Sequence, residues 1–74
     1  MIPENLNELN ELEVARLLSP LTINERRIIR MRFGLGGGMP ATLGGVSEAI
    51  GIPREEVRQL ELHAMEKLGW VNLV

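Results

Sequence analysis

Residues that interrupt helices divide this chain into four longer segments and a short C-terminal tail. The interruptions are Pro20, the glycine-rich stretch 34–38, Gly51 and Gly69. Between them, apolar residues recur at three- and four-residue intervals, which is the spacing of an amphipathic helix and not of a strand. The chain has 74 residues, too few for a second domain. The sequence therefore predicts an all-α fold, a small four-helix single domain over residues 1–74.

The first segment is acidic and carries an apolar stripe. Residues 1–15 hold four glutamates and no basic residue. The stripe recurs mainly at intervals of three and four and consists of Leu6, Leu9, Leu12, Val14, Leu17, Leu18 and Leu21. This pattern predicts an acidic N-terminal helix within residues 1–18 that begins at about residue 5.

A capping box marks the start of the second helix. The hydroxyl of Thr22 can accept the backbone N–H of Glu25, while the Glu25 carboxylate can accept the N–H of Thr22. Two isoleucines supply the apolar side, and Gly34 is suited to the left-handed conformation that ends many helices. A second helix is therefore predicted over residues 22–34.

Residues 42–68 have the layout of a helix-turn-helix. Thr42 can cap a short helix that ends before Gly51, and Pro53 suits the first turn of a longer helix that ends at about residue 68. Gly51 allows the sharp turn between the two helices. A plain helical hairpin is the alternative that the spacing alone leaves open.

The exposed side of the longer helix carries residue types that read DNA. Its first turns present Arg54, Glu55, Arg58 and Gln59 on one face, opposite an apolar stripe. In a helix-turn-helix, the second helix enters the major groove with its N-terminal residues at the base edges. Arginine can form two hydrogen bonds to guanine, and glutamine can form two to adenine. These four residues are therefore the candidate base-contacting face.

The charges are distributed unevenly along the chain. The formal net charge of −2 argues against a protein that holds nucleic acid by bulk attraction. Residues 16–32, however, hold five arginines against one glutamate, directly after the acidic segment. The net charge thus conceals a cationic patch. The alternative explanation for this separation of charges is that two solvated helix faces attract each other.

The residue types needed for catalysis or metal binding are scarce. The chain has no cysteine, no aspartate and one histidine, His63. The spacing of the two serines to His63 gives no sign that they converge. Together with Glu66, three residues later, His63 offers at most two metal ligands. We therefore expect neither an enzyme nor a metal or cofactor site.

No part of the chain is predicted to enter a membrane. The N-terminus lacks the basic residues and the apolar core of a secretory signal, and no apolar run approaches the roughly 18 residues of a membrane span. Because there are no disulfides to form, the domain does not need an oxidising compartment. The cytoplasm is the expected location.

Two motifs carry a specific resemblance. The stretch at 30–35 reads RMRFGL and the stretch at 54–61 reads REEVRQLE. With their surroundings over about residues 17–68, they closely resemble region 4 of bacterial primary sigma factors of the sigma-70 type. The resemblance implies a helix-turn-helix whose last helix recognises the −35 promoter element. It also implies an apolar groove for the flap-tip helix of the RNA polymerase β subunit, and a role in transcription without catalysis.

Carried over by position, the resemblance assigns roles to seven residues. Four would face bases and phosphates of the DNA, and three would meet the DNA backbone at the edge of the site. In that order they are Arg54, Glu55, Arg58 and Gln59, followed by Arg32, Thr42 and Leu43.

Several positions depart from the family pattern. Glu56 and Glu66 stand where arginine is usual, and His63 stands where lysine is usual. Pro53 replaces a capping threonine that also touches phosphate, and the glycine pair 44–45 replaces two glutamates. Each lost phosphate contact weakens binding and each nearby glutamate adds repulsion, so the changes at positions 53, 56, 63 and 66 favour weakened DNA binding. The glycine pair instead removes the second half of a capping box.

Two functional hypotheses follow from the match and its departures. In the first, the chain is a stand-alone module that binds −35-like promoter DNA, the β-flap of RNA polymerase, or both, and is not a complete initiation factor. In the second, it is a protein-interaction module that keeps the fold. It then acts as a polymerase-binding or self-associating regulator, with a homodimer or an anti-sigma-type protein as its partner.

The C-terminal tail, residues 69–74, bears on that choice. It contains Trp70, Val71, Leu73 and Val74, whereas the family usually turns basic and polar here. The tail can fold back over the leucine face of the first helix, or it can form a surface for a partner or a second copy.

Overall fold

The computed structural model describes residues 8–70, and this part of the chain contains four helices and no strand. The helices are α1 (Glu11–Leu17), α2 (Ile23–Phe33), α3 (Leu43–Ile50) and α4 (Arg54–Leu68). The prediction of a small all-α, four-helix fold is confirmed. None of these helices is long and apolar enough to span a bilayer.

The ends of α2 follow the predicted local chemistry. The hydroxyl of Thr22 accepts the Glu25 N–H at 3.3 Å, and the Glu25 carboxylate accepts the Thr22 N–H at 2.9 Å. Gly34 then adopts a left-handed φ of 64°. A β-carbon at this position would lie 2.6 Å from the carbonyl oxygen of Gly38, so both the backbone angle and the close approach require glycine.

Helix α1 is shorter than predicted, because Asn10 caps it. The Asn10 side chain accepts the Glu13 N–H at 2.8 Å, and the Glu13 carboxylate accepts the Asn10 N–H at 3.0 Å. This reciprocal pair fixes the first helical residue at Glu11. The predicted start at about residue 5 is therefore wrong for residues 8–10, which precede the helix. Residues 5–7 lie outside the described residues.

The apolar stripe of α1 also differs from the prediction. Val14 and Leu18 are fully buried, four residues apart on one face of the helix, whereas Leu12 is 60% exposed. In a helix that begins at Glu11, position 12 points away from that face. Leu9 packs against the core from before the helix, and Leu6 lies outside the described residues.

One apolar cluster, here called the terminal core, forms among α1, α2 and the end of α4. Its buried members are Val14, Leu18, Leu21, Ile29, Leu35, Ala64 and Trp70. The ring of Phe33 lies edge to face with that of Trp70, at 5.3 Å between centroids. The first apolar residue of the tail thus packs inward with Val14 and Leu18, and not over Leu12, which is exposed. Residues 71–74 lie outside the described part.

A second cluster, here called the helix-turn-helix core, lies among α2, α3 and α4. Its buried members are Ile28, Val46 and Val57. Two adjacent residues of α2 pack into different clusters. Ile28 packs into the helix-turn-helix core, and Ile29 packs into the terminal core. Because α2 and α4 run through both clusters, the position of α4 relative to α2 is fixed by packing along both of these helices.

A partly buried ion pair joins the start of α2 to the end of α4. Glu25 is only 4% exposed, and the Nζ of Lys67 donates a hydrogen bond to its carboxylate at 2.8 Å. Burial raises the pKa of Glu25, but the hydrogen bonds from Lys67 and the Thr22 N–H, with the Lys67 charge, outweigh it. The pKa of Glu25 therefore lies below its ordinary value of 4.5.

Candidate nucleic-acid interface

The turn between α3 and α4 is fixed from both sides by Ser47. Its carbonyl oxygen accepts the N–H of Gly51 at 2.9 Å, and its hydroxyl donates to the carbonyl oxygen of Ile52 at 2.6 Å. Gly51 lies at the predicted turn and adopts a left-handed conformation, with φ at 73°. From the sequence, Ser47 was assessed only as a possible nucleophile. Its position four residues before the helix-ending Gly51 was the signal that could have predicted its role in the turn.

The structure brings the four predicted base-contacting residues onto one exposed face of α4. Arg54, Glu55, Arg58 and Gln59 are all exposed, whereas Val57 between them is fully buried. Insertion of Val57 into the helix-turn-helix core sets the rotation of α4. The exposed face therefore follows from the packing beneath it.

Within this face, Arg58 is paired with Glu55, one turn earlier. The Nη2 of Arg58 lies 2.7 Å from one carboxylate oxygen of Glu55, and its Nε lies 3.2 Å from the other. The hydrogen bond and the charge of Arg58 lower the pKa of Glu55. The same contacts from Glu55 raise the pKa of Arg58, so both groups are charged at neutral pH.

Arg32 contacts the protein itself rather than pointing freely outward. Its Nε lies 3.2 Å from both carboxylate oxygens of Glu61 on α4, and its Nη1 donates to the carbonyl oxygen of Ala41 at 2.8 Å. The Arg32 side chain is 30% exposed and that of Glu61 14% exposed. Arg32 therefore links α2, the loop before α3, and α4. Only its Nη2 group makes no hydrogen bond with a described residue.

Thr42 and Leu43 form the start of α3. The Thr42 hydroxyl accepts the N–H of Gly45 at 3.0 Å, which caps the helix as predicted. The Leu43 side chain is half-buried against the helix-turn-helix core. What Leu43 offers to an external anion is therefore its backbone N–H, one of the four that lack a partner within a helix at its start.

The arginines of residues 16–32 are not one free cationic patch. Arg30 forms two hydrogen bonds with the carboxylate of Glu11 on α1, at 3.1 and 3.2 Å, which lower the pKa of Glu11. Arg26 donates to the carbonyl oxygen of Leu21 at 3.0 Å. Attraction between the acidic and basic segments thus explains the position of the Arg30 side chain. The other arginines of this segment do not form one continuous patch with it.

With this geometry in place, comparison with known proteins identifies the family. The family model described as "Sigma-70, region 4" matches residues 17–68, which include α2, α3 and α4 but only the last residue of α1. The chain belongs to the sigma-70 region 4 family. The resemblance that rested on RMRFGL and REEVRQLE is confirmed.

Curated relatives are sigma factors of bacteria and of a plant. The chain is 45% identical over 56 residues to the RNA polymerase sigma-C factor of Nostoc sp., which covers 76% of this chain and 14% of the relative. It is 46% identical over 55 residues to the chloroplastic RNA polymerase sigma factor sigF of Arabidopsis thaliana, covering 74% and 10%. The sigma-B factor of Nostoc sp. is 40% identical over 70 residues, covering 92% and 21%. The chain thus spans between about a tenth and about a fifth of the length of these relatives.

Three of the residues that depart from the sigma region 4 pattern lie at the surface of α4. Glu56, His63 and Glu66 are all exposed. Neither glutamate forms an ion pair with another residue of the described range 8–70. Both carboxylates are therefore available to repel a phosphate or to attract a cationic partner.

A shallow, open depression of about 150 Å³ lies beside the base-contacting face. It is lined by Arg58, Glu61, Leu62 and Met65, and Leu62 is 45% exposed. This depression was not predicted from the sequence. The available signal was Leu62, an apolar residue outside the stripe that packs inward, whereas Met65 also packs against the terminal core.

Proposed function

We propose that this sigma region 4 domain binds a −35-like promoter element with α4 in the major groove. The observation that supports this most directly is the exposed face of Arg54, Glu55, Arg58 and Gln59 at the start of the second helix of a helix-turn-helix. These residues occupy the part of a recognition helix that reaches base edges. Their chemistry suits guanine, adenine and cytosine edges.

The contacts within this face allow it to rearrange on DNA. The Glu55–Arg58 pair is solvent-exposed, and exposed ion pairs are held weakly in water. On DNA, Arg58 can exchange Glu55 for a base or phosphate, and Glu55 can accept from a cytosine amino group. The proposal assigns Arg54 and Gln59 to the same groove.

Three further residues are proposed to position the domain on the DNA backbone. The Nη2 of Arg32, the hydroxyl of Thr42 and the N–H of Leu43 are suited to phosphate oxygens, which set register without reading sequence. Because Glu61 and Ala41 hold Arg32 in place, its contribution is that of a fixed donor.

The second part of the proposal concerns RNA polymerase. Membership of the sigma region 4 family supports docking of the domain on the β-flap of the core enzyme, on a side away from the DNA-contacting face. In this role the domain acts in the cytoplasm as a transcription module, and it catalyses no reaction of its own.

A binding titration tests the DNA proposal. Affinities for a −35 consensus duplex and for a scrambled duplex are measured at two salt concentrations, for the parent chain and for Arg58→Ala and Gln59→Ala. We expect each substitution to weaken consensus binding by about 5- to 100-fold and to reduce the preference over the scrambled duplex.

Arg16→Ala is the matched control, because Arg16 is an exposed arginine on α1, outside the helix-turn-helix. It removes one positive charge, so it is expected to leave the preference for the consensus duplex intact. If Arg58→Ala and Gln59→Ala leave both affinity and preference unchanged, α4 does not read DNA.

A second candidate function is a protein-interaction module with weak DNA binding. It is favoured by the exposed carboxylates of Glu56 and Glu66 on α4 and by the pairing of Arg30 with Glu11. Pull-down with the isolated β-flap domain, together with sedimentation of the protein alone, tests for a polymerase partner or a homodimer. If the protein neither captures the flap domain nor associates with itself, the polymerase-binding and homodimer forms of this candidate are wrong.

A further inference from the structure

The first turn of α3 contains a glycine at the point where an arginine of α4 crosses it. A β-carbon built on Gly44 would lie 2.5 Å from the Nη2 of Arg54, 3.0 Å from its Cζ and 3.1 Å from its Nε. The guanidinium of Arg54 therefore occupies the space in which the side chain of any other residue at position 44 would begin. Gly44 is half-buried, whereas Arg54 as a whole is exposed.

The backbone does not require glycine at this position. Gly44 is absent from the glycines of the described chain that have a positive φ, so an L-residue can adopt its conformation. Inside a helix, glycine is the least favourable residue after proline. A contact that needs the missing side chain is therefore a physical reason for a glycine here.

The neighbouring glycine lacks such a contact and serves as an internal comparison. A β-carbon on Gly45 would meet the Thr42 hydroxyl oxygen at 3.3 Å and the β-carbon of Ala41 at 3.9 Å, and no part of Arg54. Both glycines lie in the same turn of α3, and both would gain helix propensity on replacement by alanine. They differ in whether Arg54 lies over them.

No charged partner holds Arg54 in place. Arg58 is held by Glu55 and Arg32 by Glu61, but Arg54 forms no ion pair or hydrogen bond with another residue in the range 8–70. Its guanidinium is placed by packing across α3 and not by a carboxylate. All of its donors therefore stay available to an external acceptor.

We propose that Gly44 is a positioning residue for Arg54. By lacking a side chain, it lets the Arg54 guanidinium lie across the start of α3, at the junction of the two helices that a DNA duplex would meet. This inference rests on the proposed function, because it concerns how Arg54 is presented to DNA. A side chain at position 44 displaces the flexible end of Arg54 and leaves the helices in place.

The test compares Gly44→Ala with Gly45→Ala, each in the parent chain and in an Arg54→Ala background. Affinity for the −35 consensus duplex is measured by titration, and circular dichroism confirms that every variant is folded. We expect Gly44→Ala to weaken binding about fivefold or more relative to Gly45→Ala, since one well-placed arginine contact is worth that much. In the Arg54→Ala background the two alanine variants are expected to bind equally.

A second measurement on the free protein is independent of DNA. The side-chain Nε–Hε resonance of Arg54, assigned by its loss in Arg54→Ala, is expected to shift in Gly44→Ala and to stay in place in Gly45→Ala. Equal affinities of the two variants in the parent chain would overturn the inference. So would an extra loss for Gly44→Ala that persists without Arg54.

The two measurements also separate this inference from the proposed function. If the parent chain binds no duplex, the DNA proposal fails, and the Arg54 resonance still decides whether Gly44 positions that side chain. If the parent chain binds the consensus duplex and the resonance is the same in both alanine variants, the DNA proposal stands and the role of Gly44 is refuted.

Discussion

The partners of individual side chains decide which arginines of this domain are free to leave the protein surface. Arg58 is paired with Glu55, whose side chain is 68% exposed, and Arg32 with Glu61, whose side chain is 14% exposed. An exposed pair is readily exchanged, whereas removing Arg32 would leave a largely buried carboxylate without its partner. Arg58 therefore suits base recognition, and Arg32 suits a fixed contact.

A prediction at the residue scale concerns Ser47. Ser47→Ala removes the hydroxyl that donates to the carbonyl oxygen of Ile52 in a partly buried turn. We expect a loss of about 1–2 kcal/mol in the free energy of unfolding, because a partly buried acceptor loses its donor. Urea denaturation followed by circular dichroism measures the change.

Ser19→Ala is the matched control for this prediction. The Ser19 hydroxyl also donates to a backbone carbonyl, that of Arg16, but at an exposed site where water can replace it. Its effect on the free energy of unfolding is expected to stay within about 0.5 kcal/mol. Equal losses for the two serine variants would show that the hydroxyl of Ser47 has no special role in the turn.

At the scale of helices, two ion pairs join α2 to α4, one at each end of α2. The Glu25–Lys67 pair links the first turn of α2 to the last turn of α4, and the Arg32–Glu61 pair links the last turn of α2 to the middle of α4. The two helices are therefore held at two separated points by ion pairs, as well as by the apolar residues between them.

A pH dependence follows from the first of these pairs. Because the pKa of Glu25 is lower in the folded chain than its ordinary value of 4.5, the charged form stabilises the fold above that pH. This stabilisation is lost as the pH falls below 4.5 and through the folded pKa. We expect Glu25→Gln to flatten the fall in unfolding free energy between neutral and acidic pH.

The control for the pH prediction is Glu48→Gln. Glu48 is exposed on α3 and forms no ion pair with another residue of the described part of the chain. Denaturation curves are recorded across the pH range for both variants and the parent chain. The interpretation fails if the parent and the Glu25→Gln profiles run parallel.

For the molecule as a whole, the division into two cores raises the question of whether they unfold together. The single tryptophan, Trp70, lies in the terminal core, and Val57 lies in the helix-turn-helix core. Because α2 and α4 contribute to both cores, loss of either core removes support from the other. A domain of this size is expected to unfold in one cooperative step.

Val57→Ala tests this cooperativity. The substitution leaves a cavity in the helix-turn-helix core and is expected to destabilise the domain by about 2 kcal/mol. Although Trp70 belongs to the other core, its fluorescence transition should shift by the same amount as the circular dichroism transition. A Trp70 transition that stays at its parent midpoint would show that the two cores unfold independently.

The sequence by itself determined the features that depend on neighbours in the chain. The box at Thr22 and Glu25, the left-handed Gly34, the turn at Gly51 and the exposed face that begins at Arg54 all appear as predicted. Each depends on residues three or four positions apart, so helical geometry alone relates them. The start of α1 could also have been predicted from neighbouring residues, because Asn10 and Glu13 form a capping box. The leucine repeat around this box instead favoured an earlier start.

Only the tertiary structure decided which distant side chains meet. Arg32 and Glu61 are 29 residues apart in the chain, and Glu25 and Lys67 are 42 apart. Neither these pairings nor the passage of Arg54 over Gly44 leaves a periodic trace in the sequence, because each depends on how one helix packs across another. The residue types that can contact DNA were therefore readable from the sequence, whereas their availability was set by packing.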